Sequence, residues 1–251
     1  MEATDILIIV AAGIVAGFLN VVAGGGSLIT LPLLIFMGLP SAVANATNRI
    51  AIVGQNIFAV AGFQSKGIGA WPYGIYLGIS ALLGAIVGAK IAVDMDDKVF
   101  NRVLSVIMVL VAAAILIRPL KKSGDNTERM QLKYQIMGVV SFFGVGIYGG
   151  FIQAGVGFIM IPLLTGINRF SLVKTNSVKV FVALTYSLAA LAVFFFEDVL
   201  NWGIGLTLAV GNAIGGWIGS RWSIAKGDVW IRRILIVAIV VLSIKLWFFS
   251  G

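Results

Sequence analysis

Hydrophobic residues in this chain come in long unbroken blocks rather than in alternation with polar ones. Glycine, proline and charged residues mark off ten of them: 6–23, 27–38, 42–64, 71–93, 99–118, 134–153, 157–168, 172–196, 201–221 and 229–249. A run such as VLSVIMVLVAAAILI (103–117) is unlike the short alternating segments of a transmembrane barrel. Several blocks exceed the roughly 18 apolar residues that let a helix cross a bilayer. The pattern predicts an all-α, polytopic membrane protein. Its one long polar interruption, RPLKKSGDNTERMQLK (118–133), reads as a linker between two halves.

The halves repeat each other. At a shift of 130 positions, LITLPLL (28–34) falls on FIMIPLL (158–164), and Pro32, Ser41 and Val43 fall on Pro162, Ser171 and Val173. The same shift sets Arg49 on Lys179. At a shift of 131, LLGAIVGAKIA (82–92) falls on AIGGWIGSRWS (213–223), and Asp97 and Arg102 fall on Asp228 and Arg233. So steady an offset indicates two copies of about four to five membrane segments each, and internal repeats of this kind mark secondary transporters. The expected organisation is a first repeat over 1–118, a cytoplasmic linker over 119–133 and a second repeat over 134–251.

Basic residues collect in cytoplasmic loops. The linker holds Arg118, Lys121, Lys122, Arg129 and Lys133, and the stretch 221–233 holds Arg221, Lys226, Arg232 and Arg233. An odd number of crossings per half puts both stretches on one side, with Lys66, Arg169 and Lys174. The opposite side then receives Lys90, Lys98, Arg102 and Lys245 together with Glu2, Asp5, Glu197 and Asp198. The expectation is therefore inverted repeats, N-terminus outside and linker inside. The short blocks 27–38 and 157–168 are left open: each either crosses, re-enters or continues a broken first helix.

Composition narrows the chemistry. The chain is 60% hydrophobic and 11% charged, whereas a soluble domain is nearer half apolar and a quarter charged. It contains no cysteine and no histidine, which removes disulfides, thiolate and imidazole metal ligands, haem ligation and histidine bases. No metal and no cofactor are expected. The acidic start, MEATD, lacks the positive region of a cleaved signal peptide, so the first block is expected to remain. With so little polar chain, the net charge of +8 points away from nucleic acid and toward cytoplasmic loops and an anionic partner.

Arg49 falls about two turns into the third block, and a cation that deep costs ~2.5–3.5 kcal/mol on insertion scales. A carboxylate is the usual counterion, but none of the ten acidic residues lies deep in a block. Two matched deep cations, Arg49 and Lys179, without carboxylates point to a visiting anion, against the plainer readings of snorkelling or capping of backbone carbonyls. Asn45, Thr47, Asn48, Gln55 and Asn56 crowd the first cation; Lys174, Thr175, Asn176 and Ser177 crowd the second. Amide and hydroxyl groups donate to oxyanion oxygens, and interhelical hydrogen bonding is the alternative. Asn45, Thr47, Asn48, Asn176 and Ser177 join Arg49 and Lys179 as candidates.

In NVVAGGGSLITLP (20–32) and its counterpart GGFIQAGVGFIMIP (149–162), glycines break the helix, which a membrane tolerates only where protein or water surrounds the break. A helix restarting near Ser27, and another near Phe158, would present free N–H groups and a positive dipole end to an anion. Gly25, Gly26, Ser27 and Gln153 are candidates on that ground, with a tight interhelical turn as the alternative. The glycine run lacks the Lys-Ser/Thr of a nucleotide loop. The pairs Gly13/Gly17, Gly84/Gly88 and Gly146/Gly150 and the row Gly211/Gly215/Gly219 read as helix-packing seams.

The GF…GGG…LP block, its GGF…AG.G…P partner and the GA..GA motif at Gly84–Ala89, repeated in tandem, resemble the sulfite exporter TauE/SafE family of membrane transporters over nearly the whole chain. The second copy departs from the pattern, reading AGVG in place of an unbroken glycine run. The resemblance implies a multi-pass carrier in a prokaryotic plasma membrane for sulfur-containing anions such as sulfite or sulfonates. The expected function is alternating-access transport of a small oxyanion bound between the repeats. The alternatives are an anion channel and a carrier of a carboxylate. An enzyme is not expected, for want of a histidine base or a buried carboxylate pair. The expected partners are a small anionic substrate and the lipid bilayer, not nucleic acid, with homo-oligomerisation left open.

Overall fold

The computed structural model describes residues 3–117 and 127–249. Most of the expected linker, with Arg118, Lys121 and Lys122, lies outside the described residues. All regular structure among them is helical: α1 (Ala3–Val22), α2 (Ser27–Phe36), α3 (Ser41–Gln64), α4 (Tyr73–Val93), α5 (Asp97–Ile117), α6 (Leu132–Phe151), α7 (Gly157–Ile167), α8 (Leu172–Phe196) and α9 (Trp202–Phe249). By length and composition α1, α4, α6 and α8 are suited to crossing a membrane. The loop read near 222–228 is instead helical. SIAK carries residues compatible with a helix, and the dihedrals leave it only at Gly227 (φ 67°, ψ −170°), a conformation glycine reaches without a Cβ clash.

The helix ends follow from their sequences. Ser171 caps α8, its side chain accepting from the Lys174 N–H at 3.2 Å. The matching Ser41 works differently: its N–H donates to Asp97 Oδ1 at 3.0 Å and its hydroxyl to Asn101 Oδ1 at 2.9 Å, tying the starts of α3 and α5 together. α2 and α7 have 10 and 11 residues, so each spans about 15 Å, half a hydrocarbon core. α2 doubles back along α1: Gly26 lies against Ala16 and Asn20, and Leu34 shares a core cluster with Ile9.

Glycine seams set the helix directions. Along α9, Gly211 faces Val10 and Gly13, Gly215 faces Ile14 and Phe18, and Gly219 faces Phe18 and Val21, so α1 and the first arm of α9 run the same way. Likewise Gly84 and then Gly88 of α4 face Phe143, Ile147 and Phe151 of α6 in rising order. Gly205 lies against Ile50, Gly216 against Gln55 and Gly62 against Ser220, which makes α3 parallel to that arm too. Gly74 and Gly78 meet Phe181 and Thr185, so α8 is parallel to α4. α3 and α8 are antiparallel: Ala46 clusters with Phe194, and Phe63 with Val180. One set, α1, α3 and the first arm of α9, thus runs opposite to the other, α4, α6 and α8. Leu31, Leu34 and Phe100 belong to a core within the first set, and Leu77, Phe142 and Leu164 to one within the second; Ala46 with Ala89 and Phe194, and Phe63 with Val180, join the two.

Candidate functional site

The breaks after α1 and α6 meet at the centre. Gly24 (φ 85°) and Gln153 (φ 64°) occupy the left-handed region at corresponding places, and a Cβ on Gly24 would lie 2.3 Å from the Cα of Gly157. Two broken hairpins, α1–α2 and α6–α7, touch there tip to tip.

A helix that stops inside a protein leaves its last carbonyls without partners, and cations near that end are favoured by the dipole. Arg49, fully buried, serves the end of α6. Its Nη1 donates to the Gly149 carbonyl and to Gln153 Oε1. Its Nη2 donates to the Gly150 carbonyl at 2.9 Å and to Asn45 Oδ1 at 3.3 Å. Asn45 Nδ2 donates to the Phe151 carbonyl at 2.7 Å, and the Tyr148 carbonyl takes the N–H groups of Ile152 and Gln153. The last four carbonyls of α6 are therefore all engaged. The Phe194 ring lies 5.7 Å from the guanidinium carbon.

Lys179 serves the end of α1. Its Nζ donates to the Val21 carbonyl at 2.7 Å and to Asn176 Oδ1 at 2.8 Å, while Asn176 Nδ2 donates to the Val22 carbonyl at 3.2 Å. Each half thus sends an asparagine and a cation into the opposite half's broken helix. Among the described residues neither cation has a carboxylate partner; the surface pair Lys174–Glu128 lies elsewhere, at 2.6 Å.

Beside the crossing tips is a small cavity of mixed polar and apolar lining. Asn20, Gln55, Asn56, Gln153, Lys179 and Tyr186 line it, with Gly24 and Gly157 in its wall. Of the residues selected from sequence, Gln153 and Lys179 line this cavity. Arg49 stands behind Gln153. Thr47 Oγ1 accepts from the Asn201 N–H at 3.0 Å, before α9. Asn48 Oδ1 accepts from Thr30 at 2.8 Å, holding α2 to α3. Ser177 Oγ donates to the Ile68 carbonyl at 3.0 Å, and Ser27 is buried with an unpartnered hydroxyl. Gly25 and Gly26 fit closely: a Cβ would stand 2.8 Å from the Phe158 ring or 2.1 Å from the Ala16 carbonyl. The first N–H groups of α2, on Leu28, Ile29 and Thr30, already bond the carbonyls of Gly25 and Gly26.

The cavity residues that sequence reasoning did not select are Asn20, Gln55, Asn56 and Tyr186. Gln55 and Asn56 belong to the polar crowd around Arg49, but only packing turns them toward Lys179. Asn20 gave a signal of its own, a lone amide one helical turn before a glycine break.

These features define an all-helical membrane protein built on two opposed broken hairpins around a buried cationic cavity. The model of the family described as sulfite exporter TauE/SafE matches residues 9–246, and the chain belongs to that family. It is 27% identical to a probable membrane transporter protein of Haemophilus influenzae, over 97% of this chain and 95% of that protein. It is 26% identical to the probable membrane transporter protein YfcA of Escherichia coli K12, over 94% of this chain and 87% of that one. A third relative, the probable membrane transporter protein ORF9 of a Sinorhizobium species, is 25% identical over 94% of this chain and 89% of its own length. The family and these relatives are membrane transporters, not enzymes. No solved structure matches.

Proposed function

We propose that this protein is a secondary transporter that carries a small sulfur oxyanion, sulfite or a sulfonate, across a bacterial plasma membrane by alternating access. The observation that carries the reading is a buried cation, Lys179, lining a small cavity where two broken hairpins meet, with no carboxylate bound to it among the described residues. An exchangeable anion suits such a charge, and discontinuous helices meeting near the bilayer midplane are how many carriers build a binding site.

The repeats, 1–118 and 134–251, are inverted about an axis in the membrane plane. This is supported by the opposite directions of the corresponding helices: α1 against α6, α3 against α8, and α4 against the first arm of α9. Alternating access then consists of rocking one set of parallel helices against the other, with the tip contact as the moving joint. The linker at 119–133 is cytoplasmic and the N-terminus external, because Lys and Arg concentrate on the linker's side.

The test is flux into proteoliposomes carrying the purified protein, with labelled sulfite, methanesulfonate and acetate. Saturable uptake of sulfur oxyanions over acetate is expected. Preferred acetate uptake would overturn the substrate class, and single-channel currents in a planar bilayer would replace the carrier with a channel.

A further inference from the structure

The two matched cations have different surroundings. Arginine has five N–H donors; the four on its terminal nitrogens here go to Gly149, Gly150, Gln153 and Asn45, and the fifth, on Nε, is buried without a partner. Arg49 does not line the cavity. An ammonium has three donors. Lys179 uses two, on Val21 and Asn176, and lines the cavity with one to spare.

A chain of amides faces the same space. Asn20 Nδ2 donates to Gln55 Oε1 at 3.2 Å, and Gln55 Nε2 donates to Asn56 Oδ1 at 3.4 Å. Each carbonyl oxygen in the chain from Gln55 onward is consumed, which leaves Asn56 Nδ2 unpartnered on a side chain only 1% exposed. Gln153 likewise has its oxygen taken by Arg49. The polar lining therefore offers the Asn56 amide N–H groups, the unpartnered Tyr186 hydroxyl and one positive charge, with the Asn20 side-chain oxygen as the acceptor left among them. The rest of the lining is apolar: Val156, Met160, Val180 and Ala183.

We propose that Lys179 and Asn56 bind a singly charged oxyanion whose small apolar substituent lies against Val156, Met160, Val180 and Ala183, and that Arg49 is a positioning residue which holds the second hairpin's tip and does not touch the substrate. This rests on the anion-carrier reading and narrows it. One ammonium balances one negative charge, so a dianion would keep an excess charge in a low-dielectric site, where charges must be paired. A methyl group suits the aliphatic wall, where an oxygen would lose its hydration without a partner. As it stands the cavity has room for about one water molecule, so an anion enters only once the hairpin tips part; methanesulfonate then matches both the polar and the apolar lining, and sulfate only the polar.

The experiment measures anion binding to the purified full chain by thermal shift in detergent, with methanesulfonate, sulfite, sulfate and acetate as probes, and sulfite flux in proteoliposomes. Wild-type protein is expected to bind methanesulfonate at least tenfold more tightly than sulfate. Asn56→Asp, which turns a donor into a negative charge, weakens methanesulfonate at least tenfold while the ligand-free melting temperature stays within a few degrees. Lys179→Gln removes binding; if that variant does not fold, Asn56→Asp and Asn56→Ala carry the test. Arg49→Lys keeps KM for sulfite within threefold and lowers the maximal rate at least fivefold.

Equal affinity for sulfate and methanesulfonate would overturn the single-charge site, and unaltered binding in Asn56→Asp would overturn its location. A rise in KM for Arg49→Lys with an unchanged maximal rate would make Arg49 a ligand instead. Each of these can occur in a protein that still transports sulfite, so they bear on this inference alone. A wild-type protein that binds and transports none of the four anions would sink the carrier reading and this inference together.

Discussion

Arg49 and Lys179 do for two interrupted helices what the next turn of an unbroken helix would have done: they partner the last carbonyls. Arg49→Ala deprives Gly149, Gly150 and Gln153 of their donor at once, and each buried group left unpaired costs about 1–3 kcal/mol. The expected outcome is a chain that inserts normally, melts at lower temperature in detergent and gives no sulfite flux; normal flux from a well-expressed variant would contradict it. The sequence shows that both cations are deep, matched and far from any acid, because depth and repetition are written along the chain. Their hydrogen-bond acceptors are not legible, since they are backbone carbonyls of the other half, a hundred or more positions away. The donor chain Asn20–Gln55–Asn56 hides for the same reason. Amides in a membrane helix are ordinary interhelical glue, and only their convergence beside Lys179 distinguishes these.

At the level of elements, the seam between α4 and α6 depends on the absence of side chains. A Cβ on Gly88 would stand 1.9 Å from the Ile147 carbonyl oxygen, whereas one on Gly144 would meet nothing within 4 Å. Gly88→Ala is therefore expected to lower the melting temperature clearly. Gly144→Ala should leave it unchanged or raise it, because alanine favours a helix over glycine by about 1 kcal/mol. Equal melting of the two variants would refute the close packing. Helix spans, both breaks and the small-residue rows are legible in the sequence because apolar length and glycine spacing act locally. The continuation of α9 through residues 222–226 is not. Arg221, Lys226 and Asp228 set close together around a glycine-marked break resemble a loop, and only the position of Gly227 tells where the helix bends.

Over the whole molecule, the proposed orientation draws on the opposed helix sets and the lysine and arginine bias. In intact cells, Lys66→Cys at the end of α3 should react with a membrane-impermeant maleimide only after permeabilisation, and Asp94→Cys at the end of α4 should react directly. The chain contains no native cysteine, so the label reads a single site. The reverse pattern would place the N-terminus inside. Whole-molecule pairing is the level at which sequence says least. An offset of 130 shows that two halves match, but nothing local shows that α1 packs along α9, or α4 along α6.

That exchange of partners has a consequence for biosynthesis. A ribosome delivers α1 long before α9, and the glycine face that α1 needs belongs to that later helix. Until α9 is made, α1 waits in lipid with its complementary surface missing. A message truncated before α9 yields a chain that cannot close its first seam, however complete its opening half, and such a product is a natural substrate for membrane quality-control proteases.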